Sequence, residues 1–99
     1  FKLTKKDATT ENNAAFQYAC ERGHIEICKW LYTTYNLTRE DVIIYDNAAF
    51  RWAGVNGHLK VCKWLYRTFG LTREDVTSKN NFVFRYGNTE IRKWLYDID

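Results

Sequence analysis

Two thiols and an imidazole occur at helical spacing near the start of the chain, as Cys20, His24 and Cys28. Thiolate sulfur and imidazole nitrogen are ligands that zinc prefers, so this spacing is compatible with a metal site. Gly23, however, is expected to end a helix between Cys20 and His24. The trio also does not recur, because the next related stretch keeps only one His and one Cys. We therefore expect no metal and no cofactor, and interpret the cysteines as buried thiols in a reducing, cytoplasmic compartment.

No other residues form a recognisable catalytic set. The acidic pairs Glu40-Asp41 and Glu74-Asp75 lie in short polar connectors, where the expected role is helix capping. The sequence offers neither a nucleophile beside a base nor a glycine-rich phosphate loop. We therefore expect that the protein is not an enzyme.

The candidate ligands belong to a stretch that repeats. The first copy is NAAFQYACERGHIEICKWLY from Asn13, the second is NAAFRWAGVNGHLKVCKWLY from Asn47, and a shortened third is NFVFRYGNTEIRKWLY from Asn81. The three starting residues are 34 positions apart, a period typical of stacked helical arrays. The sequence predicts an all-α solenoid of about three repeats in one domain. Its parts are residues 1–12 (the end of a preceding repeat), 13–46, 47–80 and 81–99 (a shortened terminal repeat).

Each repeat is predicted to hold two helices and a connector. A polar pair such as Asp46-Asn47 is expected to cap the first helix. A Gly-His pair, Gly23-His24 in the first copy, ends that helix, and an amphipathic second helix follows. The connector LTREDV, which spans 37–42 and returns at 71–76, is expected to form one helical turn with a capping box.

Composition limits the class of protein further. The hydrophobic fraction of 45% is sufficient for a core, and no apolar run approaches the length of about 18 residues that a membrane span needs. The net charge of +3 is too small to argue for nucleic acid by itself. We expect no membrane association.

Aromatic and basic residues also recur at the repeat spacing. We interpret the aromatic positions as shared core, although stacked rings can also bind a base or a sugar. They are Trp30, Trp64 and Trp94; Tyr32, Tyr66 and Tyr96; and Tyr18, Trp52 and Tyr86. The basic residues Lys29, Lys63 and Lys93, with Lys60 and Arg67, are interpreted as a solvated helix face. The alternative is a footprint for an acidic protein or nucleic acid.

Two stretches, ACERGHIEICKWL at Ala19–Leu31 and AGVNGHLKVCKWL at Ala53–Leu65, resemble the core of the ankyrin repeat. Two features depart from that family: Ala14-Ala-Phe-Gln17 replaces its T-P-L-H tetrapeptide, and LTREDV replaces its hairpin loop. The KWLY and LTREDV elements are similar to expanded ankyrin arrays of giant DNA viruses and some protists. The resemblance implies a groove, formed by first helices and loops, that binds a partner protein.

We predict partner-binding residues where the copies differ, since a repeat scaffold can hold its core constant and vary its surface. Those residues are Gln17, Glu21, Tyr45, Arg51, Val55 and Arg85. Arg51 and Arg85 are expected to lie one above the other and to bind a carboxylate-bearing partner. The predicted function is protein–protein interaction, with a host protein as partner if the source is viral. The protein is expected to be a monomer or part of a longer chain. A structural spacer, or a binder of acidic surfaces or nucleic acid, remains an alternative.

Overall fold

The described part of the chain is built from helices. The computed structural model describes residues 14–98, and within them every regular element is helical, so the predicted all-α class is confirmed. The predicted end of a preceding repeat, residues 1–12, lies outside the described residues. The elements are α1 (residues 14–21), α2 (Ile25–Tyr35), α3 (Arg39–Val42), α4 (Ile44–Val55), α5 (Leu59–Thr68), α6 (Arg73–Val76), α7 (Ser78–Tyr86) and α8 (Thr89–Asp97).

A glycine separates the two long helices in each of the first two repeats, as predicted. Gly23 lies between α1 and α2 with φ +76°, and Gly57 lies between α4 and α5 with φ +81°. This left-handed backbone suits glycine because other residues place a Cβ too close to the following carbonyl. Gly23 has a second constraint, because a Cβ there would lie 2.5 Å from Nδ1 of His58. The turn between α1 and α2 therefore packs directly on the turn between α4 and α5.

The connectors form the single helical turns that the sequence predicts, as α3 and α6. In α3 the Thr38 hydroxyl accepts from the Asp41 backbone N–H, and the Asp41 carboxylate accepts from the Thr38 backbone N–H at 2.8 Å. Helix α6 repeats this capping box with Thr72 and Asp75. Four apolar residues anchor the two connectors in the core: Leu37, Val42, Leu71 and Val76.

An ion pair links one connector to the next. The Arg39 guanidinium donates two hydrogen bonds to the Asp75 carboxylate, at 2.6 and 3.1 Å. Burial acts to raise the pKa of Asp75, but the bonds from Arg39 and Thr72 outweigh it and leave that pKa below its usual value. The Asp75 carboxylate therefore accepts hydrogen bonds both from Thr72 in its own capping box and from Arg39 of the preceding connector.

The polar pairs Asp46-Asn47 and Asn80-Asn81 do not cap α4 and α7 in the predicted way, and the pair Asn12-Asn13 lies outside the described residues. Residues Tyr45–Asn47 have φ of 57° to 61°, and Lys79–Asn81 have φ of 55° to 61°, so each triplet forms a left-handed turn. Asn and Asp enter this region more readily than other residues with a side chain, which explains the pair. The Asn47 side chain donates to the backbone carbonyl of Asp75 at 3.1 Å, and so joins the start of its repeat to the connector α6 of the same repeat.

Aromatic contacts pack the helical pairs on one another. Trp64 of α5 contacts Phe16 and Tyr32 of the first pair, with ring centroids 6.1 and 5.8 Å apart. The equivalent contacts recur on the other side of the second pair, where Trp94 lies 6.2 Å from Phe50 and 5.6 Å from Tyr66. The molecule measures 39 × 21 × 20 Å along its principal axes, as expected for pairs that stack in one direction.

Candidate functional site

Three large aromatic side chains lie exposed on α1, α4 and α7, the first helices of the three pairs. They are Tyr18, Trp52 and Tyr86, spaced by 34 residues, with 57%, 42% and 55% of their surface exposed. We call these residues the aromatic row. The interpretation of this set as shared core is wrong, because the helices bury their other face. A set of large exposed aromatic side chains is typical of a binding surface.

The aromatic row is joined by a fourth ring over part of its length. Phe82 of α7 lies 5.5 Å from Trp52 and 5.0 Å from Tyr86, measured between ring centroids. Phe82 is half-buried, so these three rings form one apolar patch across α4 and α7. A partner that covers this patch would remove several rings from water together.

Arginines lie over rings at both ends of the aromatic row. The guanidinium of Arg22 is 5.1 Å from the ring centre of Tyr18, and that of Arg85 is 5.4 Å from the ring centre of Tyr86. Both arginines are exposed, so each retains hydrogen-bond donors for a partner. The surface therefore offers apolar rings with positive charge at either end.

Most of the predicted partner-binding residues lie on these same helices. Gln17 and Glu21 are half-buried on α1, Val55 is half-buried on α4, and Arg85 is exposed on α7. Tyr45 has 54% of its surface exposed but lies in the left-handed turn at the start of α4. The role of these five side chains in binding stays a prediction.

Arg51 differs from the prediction, because the fold buries it and only 8% of its surface is exposed. Its Nε donates to the Asp46 carbonyl at 2.9 Å, and one terminal nitrogen donates to the Tyr45 carbonyl at 3.1 Å. The guanidinium also lies 5.0 Å from the ring centre of Phe82. Burial lowers the pKa of Arg51, although the nearby Asp46 charge acts to raise it. Arg51 therefore holds a turn in place, and it does not share an exposed position with Arg85.

The sequence contains a signal for the aromatic row that the repeat alone does not give. In α1 the buried residues are Phe16, Ala19 and Cys20, which lie on one face of the helix. Tyr18 is two residues after Phe16, and two residues correspond to about 200° around a helix, so its side chain points away from the core. The same geometry relates Trp52 to Phe50. A helical-wheel projection of each copy therefore predicts these exposed rings.

The thiol and imidazole groups do not come together as a ligand set. Cys20 and Cys28 are buried with their sulfur atoms 3.4 Å apart, whereas His24 is exposed. Burial raises the pKa of Cys20 and also that of Cys62, the latter to about 12. The prediction of buried thiols is confirmed. Within residues 14–98, no group of three or more His, Cys, Asp or Glu side chains is placed to hold a metal ion.

The aligned tryptophans and tyrosines of the second helices are only partly buried. Trp64 and Trp94 pack on the core, as predicted, with Tyr32 and Tyr66. Trp30 is 53% exposed, which contradicts its assignment to the core. Tyr96 likewise lies outside the core, because 74% of its surface is exposed. The repeat thus fixes the residue type at these positions, while the neighbouring helix decides the burial.

The chain matches no protein-family model, no curated protein and no solved structure. The resemblance to ankyrin repeats thus stays a prediction from the sequence motifs. None of the helices described between residues 14 and 98 is both long and apolar enough to cross a membrane.

Proposed function

We propose that this chain is a protein–protein interaction module, built from ankyrin-like repeats, that binds a partner protein across α1, α4 and α7. The observation that carries the proposal is the aromatic row, because large exposed rings are enriched where proteins bind one another. The surface extends over three successive helical pairs, so a partner would contact several repeats at once. The resemblance to viral and protist arrays makes a host protein our proposed partner.

The binding mechanism relies on a surface that is already ordered. Tyrosine and tryptophan have few rotatable bonds, so they lose little conformational entropy when a partner covers them. Phe82 contacts both Trp52 and Tyr86, which restricts these rings further before binding. The exposed Arg22 and Arg85 would bind polar or acidic groups at the edges of the apolar contact.

A reducing compartment such as the cytoplasm is our proposed location. All three cysteines are free and buried in the core, and none forms a disulfide. Free thiols in this position persist where glutathione and thioredoxin keep cysteines reduced. A surface that works in such a compartment would meet intracellular proteins.

A capture experiment with a matched control tests the proposed surface. The row variant is Tyr18→Ser/Trp52→Ser, and the control is Trp30→Ser/Tyr96→Ser, which also removes one exposed Trp and one exposed Tyr. Tagged wild-type protein and both variants are incubated with cell lysate, and the retained proteins are identified by mass spectrometry. Circular dichroism and thermal melting confirm that each variant is folded.

We expect a partner that wild type and the control retain and the row variant loses. With that partner purified, the row variant should bind at least about tenfold more weakly, since central aromatic residues typically carry the largest share of binding energy. Equal retention by wild type and the row variant would argue against this surface. Equal loss from both variants would show that aromatic content, and not the row, determines capture.

A further inference from the structure

A basic groove lies between α2 and α5, separate from the aromatic row. Its volume is about 430 Å³, and we call it the lysine groove. The residues that line it are Ile25, Lys29, Lys60, Lys63, Trp64, Arg67 and Thr68. None of them belongs to the aromatic row or to the predicted partner-binding set. The groove therefore offers a second surface with its own chemistry.

Four positive charges line the groove, and none of them forms an ion pair with a carboxylate of residues 14–98. Lys29 lies on the α2 side, and the other three cations lie on α5. The ion pairs within residues 14–98 are Arg39–Asp75 and Lys79–Asp46, and neither involves a groove residue. Positive charges in a concave surface reinforce one another and attract an anionic partner.

Part of the lining of the lysine groove is apolar. Ile25 and Trp64 line the groove and are half-buried against the core, so part of each side chain remains open to a ligand. The aliphatic stems of lysine side chains extend the apolar surface while their ammonium groups stay in water. A ligand that matches this lining needs apolar groups in its centre and negative charges at its edges.

We propose that the lysine groove binds an acidic peptide that also carries apolar side chains. One or two apolar side chains of the peptide lie against Ile25 and Trp64. Its carboxylates pair with Lys29 on one edge, and with Lys60 and Lys63 on the other.

The surroundings of the groove favour a peptide over nucleic acid. A neighbouring hollow shares Ile25, Lys60 and Lys63 with the lysine groove, and Glu90 of α8 also lines it. A continuous phosphate backbone would meet that carboxylate, whereas a peptide can place a neutral or basic residue opposite it. The apolar part of the lining also favours a peptide. In a site that binds the nucleic-acid backbone, contacts to phosphate dominate the affinity, so apolar side chains such as Ile25 and Trp64 are not required.

The test uses defined ligands and a matched pair of charge variants. The ligands are a fluorescent peptide with two leucines flanked by glutamates, the same peptide with glutamine for each glutamate, and an oligothymidylate of equal charge. The variants are Lys60→Glu/Lys63→Glu and, as the control with the same change in net charge, Arg92→Glu/Lys93→Glu. Both control residues are exposed on α8 and do not line the lysine groove. Fluorescence anisotropy gives each affinity at low and at high salt.

We expect the wild type and the Arg92→Glu/Lys93→Glu control to bind the glutamate peptide within about threefold of each other. The Lys60→Glu/Lys63→Glu variant should bind it at least about tenfold more weakly, as should wild type at high salt, because exposed charge pairs are screened. The glutamine peptide should bind wild type at least about tenfold more weakly. If Lys60→Glu/Lys63→Glu unfolds at a lower temperature than wild type, Lys60→Gln/Lys63→Gln replaces it, with Arg92→Gln/Lys93→Gln as the control.

Three results would overturn the proposal. One is an equal loss of binding in both charge variants, which would reflect net charge and not the groove. Another is tighter binding of the oligothymidylate than of the glutamate peptide, which would assign the groove to nucleic acid. The third is no binding of the glutamate peptide by wild type. The aromatic-row variant should bind this peptide as wild type does, so failure here leaves the proposed function standing.

Discussion

Arg51 and Arg85 occupy the same repeat position, yet their surroundings differ. Arg51 is covered by Phe82 of the following helical pair and donates to two carbonyls of the left-handed turn at the start of α4. Arg85 lies exposed over the ring of Tyr86. The same side chain therefore stabilises the fold at one position and remains available for binding at the other.

Replacing Arg51 with alanine should lower the free energy of unfolding by about 2 kcal/mol, because two partly buried carbonyls lose a charged donor. Arg85→Ala is the matched control and should change the free energy of unfolding by less than about 0.5 kcal/mol, as is usual for an exposed side chain. Urea titration followed by circular dichroism measures both. Similar effects of the two substitutions would contradict the structural role of Arg51.

The local elements follow directly from the sequence, while their surroundings do not. The glycine breaks and the capping boxes are predictable because each depends on residues within one turn, such as Thr38 and Asp41. The burial of Arg51 depends on Phe82, more than 30 residues later in the chain. Likewise, the repeat period marks Trp30 and Trp64 as equivalent but contains no information on which one the neighbouring pair covers.

The left-handed turns are the least expected elements of the fold. Three successive residues with positive φ are costly for side chains other than glycine, at about 1–2 kcal/mol each. Tertiary bonds offset this cost in the first turn, where the Asp46 carbonyl accepts from Arg51 and, at 2.9 Å, from the Ser78 hydroxyl. Propensity alone therefore predicts a helix cap at a place where the wider fold selects a left-handed turn.

Lys79 tests this interpretation, because it has φ 56° and lacks the short polar side chain that eases the left-handed region. Lys79→Gly should raise the free energy of unfolding by about 0.5 kcal/mol, since relief of the strain exceeds the entropic cost of glycine. The exposed ion pair with Asp46, at 3.6 Å, contributes little to the balance. Thermal and urea unfolding of the variant and of wild type measure the difference.

Lys93→Gly is the control for the same substitution in a right-handed helix. It lies within α8, where glycine should lower the free energy of unfolding by about 1 kcal/mol. Opposite signs for the two lysine substitutions support the left-handed turn. A loss of stability at both positions would mean that residues 79–81 adopt ordinary helical backbone in solution.

At the scale of the whole molecule, stability depends on contacts between successive helical pairs. Trp64 joins the first and second pairs through Phe16 and Tyr32, and Trp94 joins the second and third through Phe50 and Tyr66. In a stack of this kind each pair contacts its neighbours alone, so the coupling between pairs decides whether they unfold together. The proposed binding surface needs that coupling, because the aromatic row is assembled from three different pairs.

Trp64→Ala should therefore weaken both stability and cooperativity. We expect the free energy of unfolding to fall by about 3 kcal/mol, as for other large-to-small core substitutions, and the denaturant m value to decrease as the pairs unfold separately.

Trp30→Ala is the control, because it removes the equivalent side chain of the first repeat, which is 53% exposed and contacts Tyr35 of its own helix. That control should cost less than about 1 kcal/mol and leave the m value unchanged. Urea unfolding followed by both circular dichroism and tryptophan fluorescence distinguishes one transition from two. Equal losses for Trp30→Ala and Trp64→Ala, or a single unchanged transition in Trp64→Ala, would mean that this aromatic contact does not couple the pairs.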